Sequence, residues 1–342
     1  MQTIGISKDF IDNLFIESEK DEYTIDLLKY IKSEINDFKL ICNLSSSLEY
    51  EKAMIDNPLW ELLLDKFDKI KFNINLETEI FTDIFYDNLD EQNLFFVSID
   101  ETECERLTKE RGYIYITSSN IPKTWNSIKL IRDSGVFKVT TVSNFPENLK
   151  FNCWTKLENS ILPITSIIIF DRYILCDKSN QKLSDNIFKL LKIICRNNEL
   201  LKPITLTIIT EFDNDNQLIM AHSKIIDFFK HNSITNTKLN IIRHDKNKYP
   251  IDFEGLHYRL ILTNNIRIKC DDSFNFFKPN GKVNNDADLH ITFNLSYPNH
   301  YFFEKELKHI KRYVSKIENL DKKVSLPDKI FVFEDKDNYL FN

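Results

Sequence analysis

Strand-like and helix-like segments alternate through the first 145 residues, and this alternation limits the chain to few folds. Buried apolar runs such as FKLICNLS (38–45) and NLFFVSID (93–100) predict strands. Segments such as TIDLLKYIKSEIND (24–37) carry apolar residues at helical spacing. A strand, a helix and a further strand in succession are typical of a mostly parallel sheet. The sequence therefore predicts an α/β fold that begins with a Rossmann-like, three-layer domain.

The ends of this first domain are also marked in the sequence. We expect VFKVTTVSNF (136–145) to be the strand that closes the first series. The segment 143–163 then carries two prolines and several turn-forming residues, which favours a domain boundary. We predict an acidic Rossmann-like domain over 1–150 and a second α/β domain over 151–342.

The second half has a different order of elements. Strands are predicted over 165–175, 203–210, 237–244 and 287–295, with an antiparallel pair at 256–264 and 266–270 that turns at Asn264 and Asn265. Helices are predicted over 183–198, 216–232 and 303–320, the first of them capped by Ser184 or Asp185. On the last helix, four cations lie near one face, either as a solvated surface or as a track for a phosphate backbone: Lys305, Lys308, Arg312 and Lys316.

Glycine is rare, and its positions exclude two classes of nucleotide site. The chain has 5 glycines, and no two of them are close together. A phosphate-cradling loop needs clustered glycines so that the backbone can approach the ligand. We therefore exclude a Walker A site and a dinucleotide fingerprint.

Charge is divided unevenly between the two halves. Residues 1–150 hold 17 Lys and Arg against 28 Asp and Glu, whereas residues 151–342 hold 28 against 24. An acidic surface repels nucleic acid. If a phosphate-bearing partner binds, the second half is the better candidate.

Cysteine usage and the strand ends argue against a metal or a cofactor. The 6 cysteines include no CxxC pair, and none has a histidine at zinc-ligand spacing, so we expect reduced thiols in a cytoplasmic protein. The first predicted strand ends in Asn43 and Ser45, and we expect Asp100 and Glu101 to cap a helix. We predict no bound metal and no cofactor.

One histidine string on a predicted strand has the spacing of a phosphodiesterase motif. His257, Arg259 and Asn264 form HxRxxxxN, close to the HxKxxxxD of phospholipase-D-type sites. In that chemistry the histidine is nucleophile or acid, the cation neutralises the phosphate, and the last residue orients the ring. Arginine keeps the phosphate contact, while asparagine orients without charge. Similar strings at His222 and His244 lack a carboxylate at the right position.

The string at His257, together with the strand order 165–175, 203–210, 237–244 and 256–270, resembles the phospholipase-D-like C-terminal domain of MIT-domain proteins and its bacterial relatives. The resemblance covers residues 160–295, about two fifths of the chain. The matching positions are His257, Arg259, Asn264, Asp272 and Phe276, with Asp171 and Arg172 on the earlier strand. The eukaryotic domain binds phosphoinositides, and bacterial relatives occur in anti-phage settings, so the resemblance implies a phosphate-binding, defence-associated protein.

Two functions remain open at this point. In the first, His257, Arg259 and Asn264 form a catalytic site of a metal-independent nuclease or phosphodiesterase, which acts as a homodimer because the chain supplies one motif. In the second, a degenerate domain binds nucleic acid, a phosphorylated ligand or a partner protein, with Arg259, Arg172 and Lys269 as phosphate-binding residues. A phosphoinositide or membrane-surface binder is a third, less favoured reading. Arg259 could instead pair with Asp271 or Asp272.

Overall fold

The fold is that of a computed structural model of the chain. The structure describes residues 3–16, 21–35, 38–67, 70–86, 93–160, 162–177, 181–195, 200–201, 203–211, 215–234, 236–243, 259–321, 331–332 and 340. These residues form an α/β protein with a parallel sheet and a mixed sheet. The chain divides into two compact units, Met1–Leu130 with Leu295–His300 and Ile131–Asn294 with Tyr301–Asn342.

The first unit contains a five-stranded parallel sheet. Its strands lie in the order β3-β2-β1-β4-β5, with the bounds β1 (Thr3–Ile6), β2 (Lys39–Cys42), β3 (Ile70–Phe72), β4 (Asn93–Phe96) and β5 (Ile114–Ile116). All described pairs in this sheet are parallel. The central strand β1 was not predicted, because TIGI is short and carries no periodicity long enough to recognise.

Helices cover both faces of this sheet, as predicted for three layers. They are α1 (Lys8–Ile16), α2 (Glu22–Ser33), α3 (Ser47–Asp56), α4 (Pro58–Leu64), α5 (Leu76–Glu79), α6 (Asp83–Tyr86), α7 (Glu101–Arg111) and α8 (Ile121–Ser134). On one face, Phe10 of α1 packs against Phe96 with ring centroids 5.3 Å apart. On the other face, Cys104 and Leu107 of α7 share a core cluster with Phe95. Successive strand residues point to opposite faces, so each apolar strand contributes side chains to the hydrophobic core on both sides of the sheet.

Caps fix where several of these helices begin and end. The side chain of Asp100 accepts a hydrogen bond from the backbone of Thr102, 2.8 Å away, at the start of α7. Gly112 ends the same helix at φ 76, a left-handed conformation that glycine adopts without steric cost. The predicted break near Pro58 is confirmed, since α3 ends at Asp56 and α4 begins at Pro58. These signals are local, which is why the sequence revealed them.

Residues 295–300 belong to the first unit although they follow the second sheet in the chain. The Tyr30 hydroxyl donates to the Leu295 carbonyl oxygen at 2.5 Å. The backbone N–H of Tyr297 donates to the Glu34 carbonyl oxygen at 2.9 Å. The first unit is therefore built from two separate stretches of sequence.

The second unit contains an eight-stranded mixed sheet, in the order β13-β9-β8-β7-β10-β11-β12-β6. Its strands are β6 (Val136–Val139), β7 (Ser166–Phe170), β8 (Ile204–Thr210), β9 (Thr237–Arg243), β10 (Arg259–Thr263), β11 (Ile266–Cys270), β12 (Ala287–Phe293) and β13 (Phe331–Val332). Strands β7, β8 and β9 are parallel to one another. The others pair antiparallel, including the predicted hairpin of β10 and β11.

The helices of the second unit are α9 (Phe188–Ile194), α10 (Asp215–His231) and α11 (Asn299–Asp321). Of α11, the residues from Tyr301 onward belong to this unit. The helix α11 covers one face of the sheet, where Phe303, Leu307 and Ile310 join strand residues such as Phe170 and Leu260 in one core cluster. A π-helical turn, Leu183–Ile187, precedes α9. Ser184 and Asp185 lie inside that turn, so the prediction that one of them caps the helix is wrong.

The strand β6 corrects the predicted end of the first sheet. It pairs antiparallel with β12, with Val136 opposite His290 and Val139 opposite Ala287, and so belongs to the second sheet. The contact is tight at Gly135, whose carbonyl oxygen accepts a hydrogen bond from Ile291 at 2.6 Å. The division between the units accordingly falls at 130/131 rather than at 150/151.

Across the described residues, no helix combines the length and the apolar character needed to cross a membrane.

Candidate functional site

The candidate site lies at the carboxyl end of β7, where the strand order of the second sheet reverses. From β7 the chain adds β8 and then β9 on one side, and then places β10 on the other side. Ligand sites of open α/β sheets form beside the carboxyl ends of strands at such reversals. Leu260 pairs with Phe170 in antiparallel register, so Arg259 at the beginning of β10 lies beside Asp171 at the end of β7.

Asp171 is the buried centre of this site, with no solvent exposure. Its Oδ1 accepts a hydrogen bond from the Tyr173 backbone at 2.9 Å, and its Oδ2 accepts from Ser273 Oγ and the Phe274 backbone, both at 2.8 Å. Nε of Arg259 lies 3.8 Å from Oδ1. Burial raises the pKa of Asp171, against the lowering effect of these hydrogen bonds and of Arg259.

The neighbouring Arg172 forms a second, separate ion pair. Its Nε donates to Oε1 of Glu211 at 2.7 Å, and its Nη2 donates to the same oxygen at 2.5 Å. Glu211 directly follows β8, so this pair joins the carboxyl ends of two adjacent parallel strands. Asp171 and Arg172 therefore do not pair with each other; each has a partner on a neighbouring strand. The alternative partners Asp271 and Asp272 are not the carboxylates beside Arg259.

The aromatic ring of Tyr173 brings the two arginines to one place. The Cζ atoms of Arg172 and Arg259 lie 5.4 and 5.1 Å from the centroid of this ring. Tyr173 is 38% exposed, and the side chains of Arg172 and Arg259 are 23% and 12% exposed. A guanidinium group near an aromatic face is held by attraction to the ring electrons. The site thus presents two oriented, partly buried guanidinium groups beside a solvent-accessible ring.

A third arginine lies at the same edge and was not predicted. Arg243 is the last residue of β9, opposite Thr210 of β8. Asp171 donates its backbone N–H to Ile209, so Asp171 lies next to Thr210 across the sheet. Arg259, Asp171, Thr210 and Arg243 thus form one row across four adjacent strands. In the sequence, Arg243 was marked only by its position as the last residue of the apolar strand TKLNIIR, directly before His244.

Asn264 lies at the far end of β10 from Arg259. The two residues are five positions apart along an extended strand, which corresponds to roughly 16 Å. Oδ1 of Asn264 accepts from the Thr165 backbone at 3.0 Å, and Nδ2 donates to the Pro163 carbonyl oxygen at 3.2 Å. The amide fixes the turn between β10 and β11. The structure does not bring Asn264 to the site that holds Arg259.

Lys269 lies on the opposite face of the sheet from Arg259. It pairs with Leu260, and paired residues of antiparallel strands point to the same face. Leu260 belongs to the core cluster under α11, so Lys269 projects to the α11 side, whereas Arg259 projects to the other. Of the three predicted phosphate-binding residues, the structure brings together Arg172 and Arg259. His257, the predicted nucleophile or acid, lies outside the described residues.

Two further positions of the resemblance have structural roles. Asp272 accepts a hydrogen bond from the backbone of Ser273 at 2.7 Å, which shapes the loop that reaches Asp171. Phe276 is 1% exposed, and its ring centroid lies 5.7 Å from that of Trp154. Both residues support the loop 271–277 rather than contribute groups to the surface of the site.

The carboxyl ends of the first sheet are used differently. Asp100 caps α7, Ser46 caps α3, and the backbone N–H of Ser98 donates to Glu77 at 2.8 Å. Two buried oxygens there, Ser7 Oγ and Asn43 Oδ1, have no hydrogen-bond partner within the described parts of the chain. No cluster of His, Cys, Asp or Glu among the described residues has the arrangement to hold a metal ion.

The sequence matches no protein-family model. It also has no significant match among curated proteins.

Proposed function

We propose that the second unit is a non-catalytic phosphate-recognition module, which binds the phosphate group of a phosphorylated ligand at the carboxyl end of β7. The observation that carries this proposal is the placement of Arg172 and Arg259 beside the Tyr173 ring. A guanidinium group donates two parallel hydrogen bonds to a phosphate, and a fixed orientation lowers the entropy lost on binding.

The carboxylate nearest Arg259 is held by the protein itself. The edge carries Arg172, Arg243 and Arg259 together with Asp171 and Glu211, and Asp271 and Asp272 follow Cys270, the partner of Arg259 on β11. Burial raises the pKa of Asp171, which means that the fold disfavours its negative charge. Asp171 also accepts three hydrogen bonds from the protein, so its oxygens are engaged in holding loops.

The position of Asn264 supports recognition without catalysis. The motif chemistry requires a residue that orients the reacting histidine, and the Asn264 amide is engaged with backbone at 163 and 165. The defence-associated setting in a prokaryote comes from the resemblance alone, and we include it in the proposal as the biological context.

Binding of inorganic phosphate, pyrophosphate and tripolyphosphate, measured by calorimetry, tests the proposal. We expect Arg259→Gln to weaken the tightest of these by about 10- to 100-fold, because a hydrogen bond to a charged group contributes about 1.5–3 kcal/mol. Arg259→Lys keeps the charge but loses the two-pronged geometry, so it should recover only part of the affinity. Arg106→Gln, which removes an exposed, ion-paired arginine of α7, is the charge-matched control.

Two results would contradict the proposal. If none of the three anions binds, or if Arg106→Gln weakens binding as much as Arg259→Gln, the edge of β7 is not a phosphate site. If the wild type cleaves a phosphodiester such as bis(p-nitrophenyl) phosphate in the presence of EDTA, and His257→Ala abolishes this cleavage, the protein is a metal-independent phosphodiesterase instead.

A further inference from the structure

The outer face of α11 carries a line of exposed cations that begins with an exposed aromatic residue. Its members follow one another at intervals of four, three, four and four residues, which places them one above another on a helix. We name this line the α11 stripe, formed by Tyr301, Lys305, Lys308, Arg312 and Lys316. All five side chains are exposed.

The four cations of the α11 stripe make no ion pair within the described residues. Two exposed cations on helices of the first unit, by contrast, are paired: Arg106 contacts Glu103 and Glu110, and Lys123 contacts Glu105. Like charges in a row repel one another, so the row lowers the stability of the helix unless an anion binds.

The acidic residues of α11 leave the stripe positive. Glu306 turns toward the sheet, where its Oε1 accepts from Nη2 of Arg267 at 2.6 Å. Glu318 is only partly exposed, and Glu304 is exposed beside the stripe. No acidic residue interrupts the line itself.

The opposite face of α11 holds the helix firmly on the sheet. Phe303, Leu307, Ile310, Tyr313 and Ile317 are all nearly or fully buried in one core cluster. A helix rises about 1.5 Å per residue, so the four cations are spaced about 4.5–6 Å apart along a rigid rod. This spacing suits successive phosphates of one strand, each approached by a different side chain.

Tyr301 adds a surface on which a base can stack. It is 61% exposed, and its neighbour Phe302 is 46% exposed, with ring centroids 5.9 Å apart. Bases of a single strand stack on exposed aromatic rings next to a positive track, whereas duplex bases are already stacked. A lipid surface is a poorer fit, because membrane-bound amphipathic helices insert an apolar face and that face of α11 is buried in the core.

From this arrangement we propose that the α11 stripe binds the backbone of single-stranded nucleic acid, with Tyr301 stacking on a base. The proposal goes beyond the phosphate site at β7 and does not depend on it, because the two sets of residues are separate. It assigns the four cations of the α11 stripe to one class of partner.

The test is fluorescence anisotropy of labelled oligothymidine and oligouridine with the full-length chain, over a range of salt concentrations. Four phosphate contacts on a single strand predict a slope of log K against log salt of about −2.8. The double substitution Lys305→Gln with Lys308→Gln should bring the slope to about −1.4. Tyr301→Ala should weaken binding roughly 5- to 100-fold and leave the slope unchanged.

The matched control is Lys278→Gln with Lys282→Gln, two exposed lysines in the loop between β11 and β12. This control removes the same charge from the same unit and should leave both affinity and slope unchanged. Arg259→Gln should likewise bind oligothymidine as the wild type does, which separates this proposal from the phosphate site. Circular dichroism checks that each variant is folded.

Several results would overturn the proposal. Absence of oligonucleotide binding would do so, and so would a loss in the lysine control equal to that in the stripe variant. Binding of a duplex as tight as that of the single strand, with Tyr301→Ala neutral, would also overturn it. Stripe-dependent binding to phosphatidylserine vesicles without oligonucleotide binding would assign the surface to anionic lipid instead.

Discussion

The contact between Gly5 and Phe95 provides a quantitative test of how the first sheet is packed. A Cβ atom built on Gly5 would lie 2.4 Å from Cδ1 and 2.9 Å from Cε1 of Phe95. The Phe95 ring is fully buried and has little room to move. Its centroid lies 5.1 Å from that of the stacked Tyr115 ring and 6.2 Å from that of the Tyr113 ring. Gly5→Ala should therefore destabilise the first unit through overpacking.

The size of this effect follows from two opposing contributions. Overpacking a close-packed core costs about 1–3 kcal/mol. Replacing glycine restricts the unfolded chain, which stabilises the fold by about 0.4–1 kcal/mol. We expect Gly5→Ala to lower the free energy of unfolding by about 1–2 kcal/mol. Urea unfolding followed by fluorescence of the buried Trp60 and Trp125 measures this change.

The cause is isolated by combining the change with Phe95→Leu in a double-mutant cycle. Leucine lacks Cε1, and its Cδ atoms can rotate away where the flat ring cannot, so Gly5→Ala should cost at least about 1 kcal/mol less in the Phe95→Leu background. Equal costs in both backgrounds, or an unchanged midpoint for Gly5→Ala alone, would refute the argument that this close approach requires glycine.

Two further predictions concern buried polar groups and thiols. Ser7→Ala should lower the free energy of unfolding by no more than about 0.5 kcal/mol, or raise it, because a buried hydroxyl that makes no hydrogen bond contributes nothing favourable. Asp100→Ala, which removes a helix cap, should lower it by about 0.5–2 kcal/mol. Equal losses of stability for the two variants in thermal unfolding would contradict this contrast. Burial raises the pKa of four thiols to about 12, and these are Cys42, Cys104, Cys195 and Cys270. At pH 8 their reactive thiolate form is therefore depleted about 1,000-fold relative to an unperturbed thiol. A thiol titration of the native protein should show fast reaction of Cys153 and Cys176 alone, and fast reaction of all six cysteines would contradict this prediction.

Local signals in the sequence located most of the elements. Apolar strands such as β8 and caps such as Asp100 and Gly112 depend on a few adjacent residues, and the structure agrees with them. Sheet membership is different, because it depends on pairing between distant residues. The pairing of β6 with β12 joins segments about 150 positions apart, and no local pattern encodes it.

The candidate site shows the same limit at the level of side chains. Arg172 and Arg259 were selected from the sequence, but their partners Glu211 and Asp171 lie on neighbouring strands. Asn264 had the right spacing for a motif, yet long-range hydrogen bonds to 163 and 165 give it a structural role. Spacing along a chain identifies which residue types are present, whereas the fold decides which of them meet.

The return of residues 295–300 to the first unit affects the order in which the protein is completed during synthesis. The Tyr30 hydroxyl obtains its acceptor at Leu295 only after residues 131–294 have been made. At about 5–20 residues per second, this interval is roughly 8–33 s. Domains usually fold as they emerge from the ribosome, beginning with the N-terminal one. Here the unit that is synthesised first remains incomplete until nearly the whole of the second sheet has been translated.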